Sequence, residues 1–142
     1  MSLSRMRFPL IVLTVAIFVG LFFLQGDNRV MIDVQGGAVT VDGPQGSYFS
    51  VRYEDIDTLE LIDCLDRGEC VDGGTRRGYS YGLWRSAALG EYTLIVRDKV
   101  DACIVITDRS GQTLAFNYES GEVTNNLYEL ILKLLAEQDI SV

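Results

Sequence analysis

The sequence predicts a mostly β domain that ends in one α-helix and is preceded by one transmembrane helix. Segment 8–24 contains no charged side chain. Between residues 29 and 118, short stretches alternate apolar and polar residues, which is the spacing of β-strands. From residue 123 onward the apolar residues are three or four positions apart, which is helical spacing.

Length and charge set the domain organisation. The chain has 142 residues, of which 48% are apolar, so it can form one modest hydrophobic core. All 20 acidic residues and ten of the 12 basic ones follow residue 26, which gives this part a net charge of −10. Such a surface repels nucleic acids at long range. We therefore expect an N-terminal part, 1–26, and one soluble domain, 27–142, with no nucleic-acid partner and no indication of oligomeric state.

Segment 8–24 predicts a membrane anchor. Its length is at the short end of the roughly 17–25 residues that cross a bilayer as a helix. Arg5 and Arg7 precede it, so the positive-inside bias predicts a cytoplasmic N-terminus and an extracytoplasmic domain in a single-pass cell-membrane protein. A cleaved signal peptide is the alternative, although residues 23–26, Phe-Leu-Gln-Gly, form a poor cleavage site. Both interpretations place the domain outside the cytoplasm.

Seven segments of the domain predict strands, because apolar and polar residues alternate in them and turn residues separate them. Residues 42–46, Asp-Gly-Pro-Gln-Gly, are typical of a turn, and residues 108–111, Asp-Arg-Ser-Gly, predict a hairpin between the last two strands. Residues 63–82, rich in Gly, Asp, Arg and Tyr, predict an irregular middle. The predicted strands are 29–34, 38–42, 48–53, 58–62, 92–96, 103–107 and 114–118.

The predicted C-terminal helix is amphipathic. A side-chain oxygen of Ser120 or Thr124 is expected to cap its first turn, because that oxygen can accept an unpaired backbone N–H. The apolar stripe predicts packing on the sheet, with a partner helix as the alternative. The stripe consists of Val123, Leu127, Leu130, Ile131, Leu134 and Leu135.

Five short motifs, with the order of seven strands and a helix, form a pattern over about residues 38–136. The motifs are Tyr53-Glu54-Asp55-Ile56, Leu59-Glu60-Leu61, Arg76-Arg77-Gly78-Tyr79, Gly82-Leu83-Trp84 and Ile104-Val105-Ile106. This pattern resembles the pleckstrin-homology-like (PH-like) domains of small membrane-tethered bacterial proteins. The resemblance implies a barrel or sandwich of about seven strands capped by the helix, in a binding or scaffolding module without catalytic residues. The chain departs from many such proteins in having one predicted membrane helix rather than several.

Residues 78–82, Gly-Tyr-Ser-Tyr-Gly, match the G-x-S-x-G nucleophile elbow of hydrolases. An elbow needs a strand–turn–helix and a histidine base, whereas the chain has no histidine and continues as a strand after Gly82. We interpret the two glycines as relieving crowding in a loop or bulge. No phosphate-binding loop or other nucleophile–base pair is present, so the sequence predicts no catalytic residue, no cofactor and no enzyme activity.

Cysteines and acidic residues share the irregular middle. Cys64 and Cys70 lie six positions apart, and in an oxidising compartment they predict a disulfide worth roughly 2–2.5 kcal/mol. Cys103 lies in a predicted strand, where it alternates with Ile104 and Ile106, and it is expected to be a buried, inert thiol. A zinc site is disfavoured because the chain has no histidine and no C-x-x-C pair. Four acids recur at every third position but do not match the calcium-loop pattern, so we interpret them as solvated and predict no metal site. They are Asp63, Asp66, Glu69 and Asp72.

Residues 76–85 form the basic and aromatic stretch of the domain. Arg, Tyr and Trp are enriched at binding hot spots, although alternation along a strand leaves a structural role for some of them open. The net charge disfavours an anionic bilayer as the ligand. We therefore predict non-covalent binding of another envelope protein. An accessory subunit that docks through its anchor helix is the alternative, and a hydrolase is a third, disfavoured one. The candidate partner-binding residues are Arg76, Arg77, Tyr79, Tyr81 and Trp84.

Overall fold

The computed structural model describes residues 30–140, with side chains through residue 138. The predicted anchor, segment 8–24, lies outside this range. No helix within the described range is both long and apolar enough to cross a membrane.

The described residues form nine strands, two short 3-10 turns and one α-helix, which confirms a mostly β domain with one C-terminal helix. The 3-10 turns are Pro44–Gly46 and Tyr53–Asp55. The strands are β1 (Met31–Asp33), β2 (Ala38–Asp42), β3 (Tyr48–Arg52), β4 (Ile56–Ile62), β5 (Glu69–Arg76), β6 (Tyr79–Ser86), β7 (Gly90–Arg97), β8 (Cys103–Asp108) and β9 (Thr113–Phe116), and the helix is α1 (Gly121–Ile140).

The prediction of an irregular middle is wrong for β5 and β6. No residue of β5 is buried, so its side chains carry no apolar alternation from which a strand could be predicted. The two strands are joined by a two-residue turn in which Arg77 and Gly78 both have positive φ, +51° and +83°. This backbone is the one that matches the twist of two paired strands. Turn geometry and pairing with β6, not burial of its own side chains, therefore hold β5 in this hairpin.

The strands are arranged in two open sheets. The small sheet has the order β1-β2-β3, and the large sheet has the order β4-β8-β9-β7-β6-β5. All neighbours are antiparallel except β7 and β9, which are parallel. Among the described strands, β4 and β5 each have one neighbour, so the barrel that the resemblance implied is not closed. The physical reason is that closure requires the two edge strands of the large sheet to pair, and β4 and β5 do not pair with each other.

The first face of the large sheet carries the main core. The small sheet and α1 both pack on it, so these two elements and the large sheet exclude water from one apolar cluster. Ser120 caps the helix by accepting a hydrogen bond from the Val123 N–H (3.1 Å), as predicted. The small sheet contributes Val39, Val41, Phe49 and Val51, the large sheet contributes Ile95, Ile104, Ile106, Leu114 and Phe116, and the helix contributes Ile131. The predicted stripe is wrong at Leu130, which is 43% exposed because it lies to the side of the helix face that meets the sheet.

The second face of the large sheet is covered differently. β4 and β5 lie at opposite edges, and residues 63–68, the crossing segment, connect them. Leu65 packs on the apolar residues of this face, and the Tyr92 hydroxyl donates to the Arg67 carbonyl (2.7 Å). Six residues span roughly 20 Å when extended, so the segment runs across the sheet with little slack. The second-face cluster consists of Tyr92, Leu94, Val96, Cys103, Val105 and Ala115.

Candidate functional site

The β5–β6 hairpin divides the predicted partner-binding residues between the two faces. Arg76 pairs with Tyr79, and Tyr81 pairs with Ile95, which places Tyr79 and Tyr81 on the first-face side. Trp84 points to the second face, packs on its cluster and donates its indole N–H to the Tyr81 carbonyl (3.0 Å). Trp84 therefore has a structural position, whereas Arg76 is exposed.

The tip of this hairpin is fixed to the end of β7. The Asp98 N–H donates to the Gly78 carbonyl (2.8 Å), which holds the turn beside Arg97. Arg76 and Arg77 are exposed, and neither forms an ion pair within residues 30–138. Cationic side chains thus gather at one end of an acidic domain.

Next to the tip is an open cleft of about 330 Å³. Arg97 donates from Nη2 to the Tyr79 hydroxyl (2.9 Å), and its guanidinium carbon lies 5.4 Å from the centre of the Tyr79 ring. The hydrogen bond to Tyr79 is the main cause of a raised pKa for Arg97, so this side chain stays cationic. Arg97 has no carboxylate within ion-pair distance in the described part of the chain. The cleft is lined by Val30, Met31, Tyr79, Arg97, Asn117, Tyr118 and Glu119.

Asn117 holds the backbone that carries Arg97. It is 1% exposed, and its Oδ1 accepts the Arg97 N–H at 2.7 Å. Its Nδ2 donates to the carbonyls of Val100 (2.9 Å) and Arg97 (3.2 Å). A buried amide with satisfied partners is costly to replace. Sequence reasoning missed both Asn117 and Arg97. The available signals were a polar amide inside the predicted strand 114–118 and an arginine directly after the predicted strand 92–96.

The G-x-S-x-G residues form no catalytic elbow in the structure. Ser80 is 2% exposed inside strand β6, where its hydroxyl donates to Asp98 (2.6 Å) and bonds to Thr75 (3.0 Å). The crowding interpretation is confirmed at Gly82, because a Cβ there would meet the Asp72 carbonyl oxygen at 2.3 Å. It is wrong at Gly78, where a Cβ would meet nothing within 4 Å and the positive φ of the turn is what favours glycine. The described residues contain no group of three or more His, Cys, Asp or Glu side chains that could hold a metal ion.

The three cysteines are free thiols in the structure. Cys103 is buried, as predicted, and its burial raises the thiol pKa to about 11. Cys64 and Cys70 are exposed; Cys64 follows β4 at one edge of the large sheet, and Cys70 lies in β5 at the other. A disulfide needs their Cα atoms within about 7 Å, so the crossing segment would have to fold back on itself. Their pairing stays a prediction, tested by counting thiols in protein isolated without reductant.

The cleft and the hairpin tip together provide groups for non-covalent binding. Arg97 has guanidinium N–H groups beyond the one bound to Tyr79, and the Tyr79 hydroxyl can itself donate. Tyr118 and Met31 add aromatic and apolar surface, and Met31 is 62% exposed. Comparisons with models of protein families, with curated proteins and with solved structures found no match.

Proposed function

We propose that this chain is a membrane-anchored, extracytoplasmic PH-like module that binds another envelope protein without catalysing a reaction. The observation that carries the binding proposal is the clustering of Arg76, Arg77 and Arg97, none with a carboxylate partner in the described range, at one end of the domain. The anchor and the topology rest on segment 8–24 and on the arginines before it.

The contrast with most other arginines of the described range supports a binding role for these three. The exception is Arg109, which also forms no ion pair but lies alone at the opposite end of the sheet. Arg52 pairs with Glu54 at 2.6 Å, and Arg67 pairs with Asp98 at 2.6 Å. Carboxylates are abundant in a domain with a net charge of −10, yet Arg76 and Arg77 form no ion pair in the described range. Arg97 shares its cleft with Glu119 but does not form an ion pair with it, so all three cations are available to an incoming group. Guanidinium groups bind carboxylates with two parallel hydrogen bonds, which adds geometric specificity.

A protein partner fits this end better than an anionic bilayer does. The domain's net charge opposes long-range attraction to anionic headgroups. Short-range contacts behave differently, because Arg97, Tyr79 and Tyr118 combine cationic and aromatic surface within one cleft. Such residues supply most of the binding energy at protein interfaces. We therefore expect a partner segment that places a carboxylate on Arg97 and apolar atoms against the tyrosine rings.

The test is photo-crosslinking of the full chain in native membranes. A photoreactive residue at Lys99, exposed just after Arg97, should give one protein adduct, whereas the same probe at Arg109, at the opposite end of the sheet, should not. The double variant Arg76→Ala, Arg77→Ala should lower the adduct yield at least tenfold, with a nearly unchanged melting temperature, because exposed charges contribute little to folding.

The matched control is Arg52→Ala, Arg109→Ala, which also removes two exposed arginines but leaves the hairpin tip intact. It should leave the adduct yield unchanged. Equal loss in both variants, or unfolding of the Arg76→Ala, Arg77→Ala protein, would contradict the proposal. An adduct to lipid in place of protein would replace the protein partner with a headgroup.

A further inference from the structure

The outer edge of β5 has no neighbouring strand among the described residues. β5 is eight residues long and none of them is buried. An exposed edge of this length presents free backbone N–H and C=O groups, to which another strand can pair. We propose that β5 pairs antiparallel with β5 of a second copy, so that the large sheet continues across a symmetric dimer. This inference goes beyond the proposed function and does not rest on it.

The hairpin turn determines which groups of β5 face outward. In a hairpin closed by a two-residue turn, the flanking pair, here Arg76 and Tyr79, is hydrogen-bonded. The bonding direction alternates along the strand, so Gly74 and Asp72 also bond towards β6. Gly73 and Thr75 then direct their N–H and C=O groups to the open edge. A bulge between Cys70 and Asp72 interrupts this alternation, which confines the usable edge to residues 72–76.

One symmetric register pairs the free backbone groups of the two β5 strands and also places opposite charges across from each other. When Gly74 faces Gly74 of the second copy, Gly73 of each copy faces Thr75 of the other, and the two pairs exchange four hydrogen bonds. The same register places Asp72 of each copy opposite Arg76 of the other copy. Both side chains are exposed, and neither forms an ion pair in the described part of its own chain. Opposite charges directly across a strand pair are stabilising.

Neighbouring registers lose this complementarity. A shift by two residues in one direction places Asp72 opposite Gly74 of the second copy, and a further such shift places Asp72 opposite Asp72. The other edge of the sheet, β4, is protected in a simpler way. Its charged side chains, Asp57 and Glu60, are both acidic, so two β4 edges would bring like charges together. The net negative charge of the domain disfavours association of two copies in general. At the β5 edge, the two proposed Asp72–Arg76 pairs offset this repulsion locally.

Cysteine crosslinking of the full chain in native membranes tests the dimer. The background is Cys64→Ser, Cys70→Ser, which removes both exposed thiols. Gly74→Cys is tolerated by the fold, because a Cβ there meets nothing closer than the Tyr81 hydroxyl at 3.5 Å. Facing Cα atoms in a pair without hydrogen bonds are about 4.5 Å apart, within disulfide reach. Mild oxidation should give a disulfide dimer of Gly74→Cys, and the β4 control Asp57→Cys should give at least tenfold less.

Charge reversal tests the register. In the Gly74→Cys protein, Asp72→Arg should lower the crosslinked fraction at least fivefold, because it places two positive charges opposite each other. Asp72→Asn should lower the crosslinked fraction less. Combining Asp72→Arg with Arg76→Asp should restore the crosslinked fraction. Cys103 must stay unreactive towards a thiol reagent in every variant, which shows that the fold is intact. Equal crosslinking at residues 74 and 57, or failure of the charge swap to restore it, overturns the proposal. In the dimer Arg76 faces Asp72 of the second copy, which leaves Arg77 and Arg97 as the cations available to a partner. Asp72 serves only the dimer, so loss of the partner adduct and loss of the dimer are distinguishable.

Discussion

Both faces of the large sheet are shielded from solvent, but different parts of the chain cover them. On the first face, the small sheet and α1 bury residues such as Ile104 and Phe116 completely. On the second face, Leu94 and Val96 are also 0% exposed, yet their cover is the six-residue crossing segment and a few side chains beside it. The first face depends on apolar area that many residues share, and the second depends on a small number of specific contacts.

Those specific contacts form a chain of hydrogen bonds at the end of the crossing segment. Arg67 reaches Asp98 with Nη1 (2.6 Å), Ser80 donates to the same Asp98 oxygen (2.6 Å), and Thr75 bonds to Ser80 (3.0 Å). The Arg67 carbonyl accepts from Tyr92. A polar network of this kind is stable when every member is satisfied and sensitive to the loss of one. The comparison shows that a short segment can shield an apolar sheet face from solvent when one side chain, here Arg67, fixes it in place.

The largest expected effect is on the first face. Phe116→Ala should lower the free energy of unfolding by about 3–5 kcal/mol, because it removes a fully buried ring and leaves a cavity under the small sheet and the helix. Denaturant unfolding of the full chain in detergent measures this value. The exposed Leu130, on α1, provides the control, since Leu130→Ala should cost much less. A loss below about 1 kcal/mol for Phe116→Ala would mean that the small sheet and the helix do not form the main core.

A smaller effect is expected from releasing the cover of the second face. Arg67→Met keeps most of the stem but leaves Asp98 short of a partner, which should cost about 1–3 kcal/mol. The same variant should let a thiol reagent reach Cys103 faster, measured in the Cys64→Ser, Cys70→Ser background. Arg85→Met, which breaks the exposed pair with Glu91, is the control and should change neither quantity measurably. Unchanged Cys103 reactivity in Arg67→Met would show that Arg67 does not hold the segment.

The smallest expected effect is alkaline destabilisation of the second face. Burial raises the pKa of Cys103 from 9.0 to about 11, and burial is also the main reason why the pKa of Tyr92 rises from 10.0 to about 12. Each group stays protonated in the folded chain while the unfolded chain ionises. Their contribution is therefore complete below about pH 9 and is lost as the pH rises towards 11 to 12.

The corresponding loss near pH 10 is on the order of 1 kcal/mol for Cys103, since one pKa unit corresponds to about 1.4 kcal/mol. It is smaller for Tyr92 at that pH, because the pKa of Tyr92 in the unfolded chain is itself about 10. Cys103→Ala should make the dependence of the unfolding free energy on pH shallower between pH 8 and pH 11. Tyr53, on the first face, also has a pKa raised by burial and by Asp33, so Tyr53→Phe reports the first face separately. An unchanged slope in Cys103→Ala would contradict the assignment of this titration to the second face.

The sequence by itself determined the features that depend on neighbouring residues. Apolar periodicity predicted a mostly β domain and one C-terminal helix, and both are present. The Ser120 cap, the turn at 108–111 and the burial of Cys103 also followed from local pattern. Such features are predictable because residues close together in the sequence determine them, through apolar spacing and turn chemistry.

Only the tertiary structure decided the sheet order and the composition of the cleft. The parallel insertion of β9 beside β7 makes the large sheet six strands wide, so residues 63–68 must cross it. Asn117 reaches Arg97, 20 positions away in sequence, because β9 ends beside the end of β7. The exposed strand β5 has no apolar pattern of its own and exists because β6 supplies its hydrogen bonds. Each of these features depends on pairing between distant segments, whose free energy comes from contacts that no local spacing encodes.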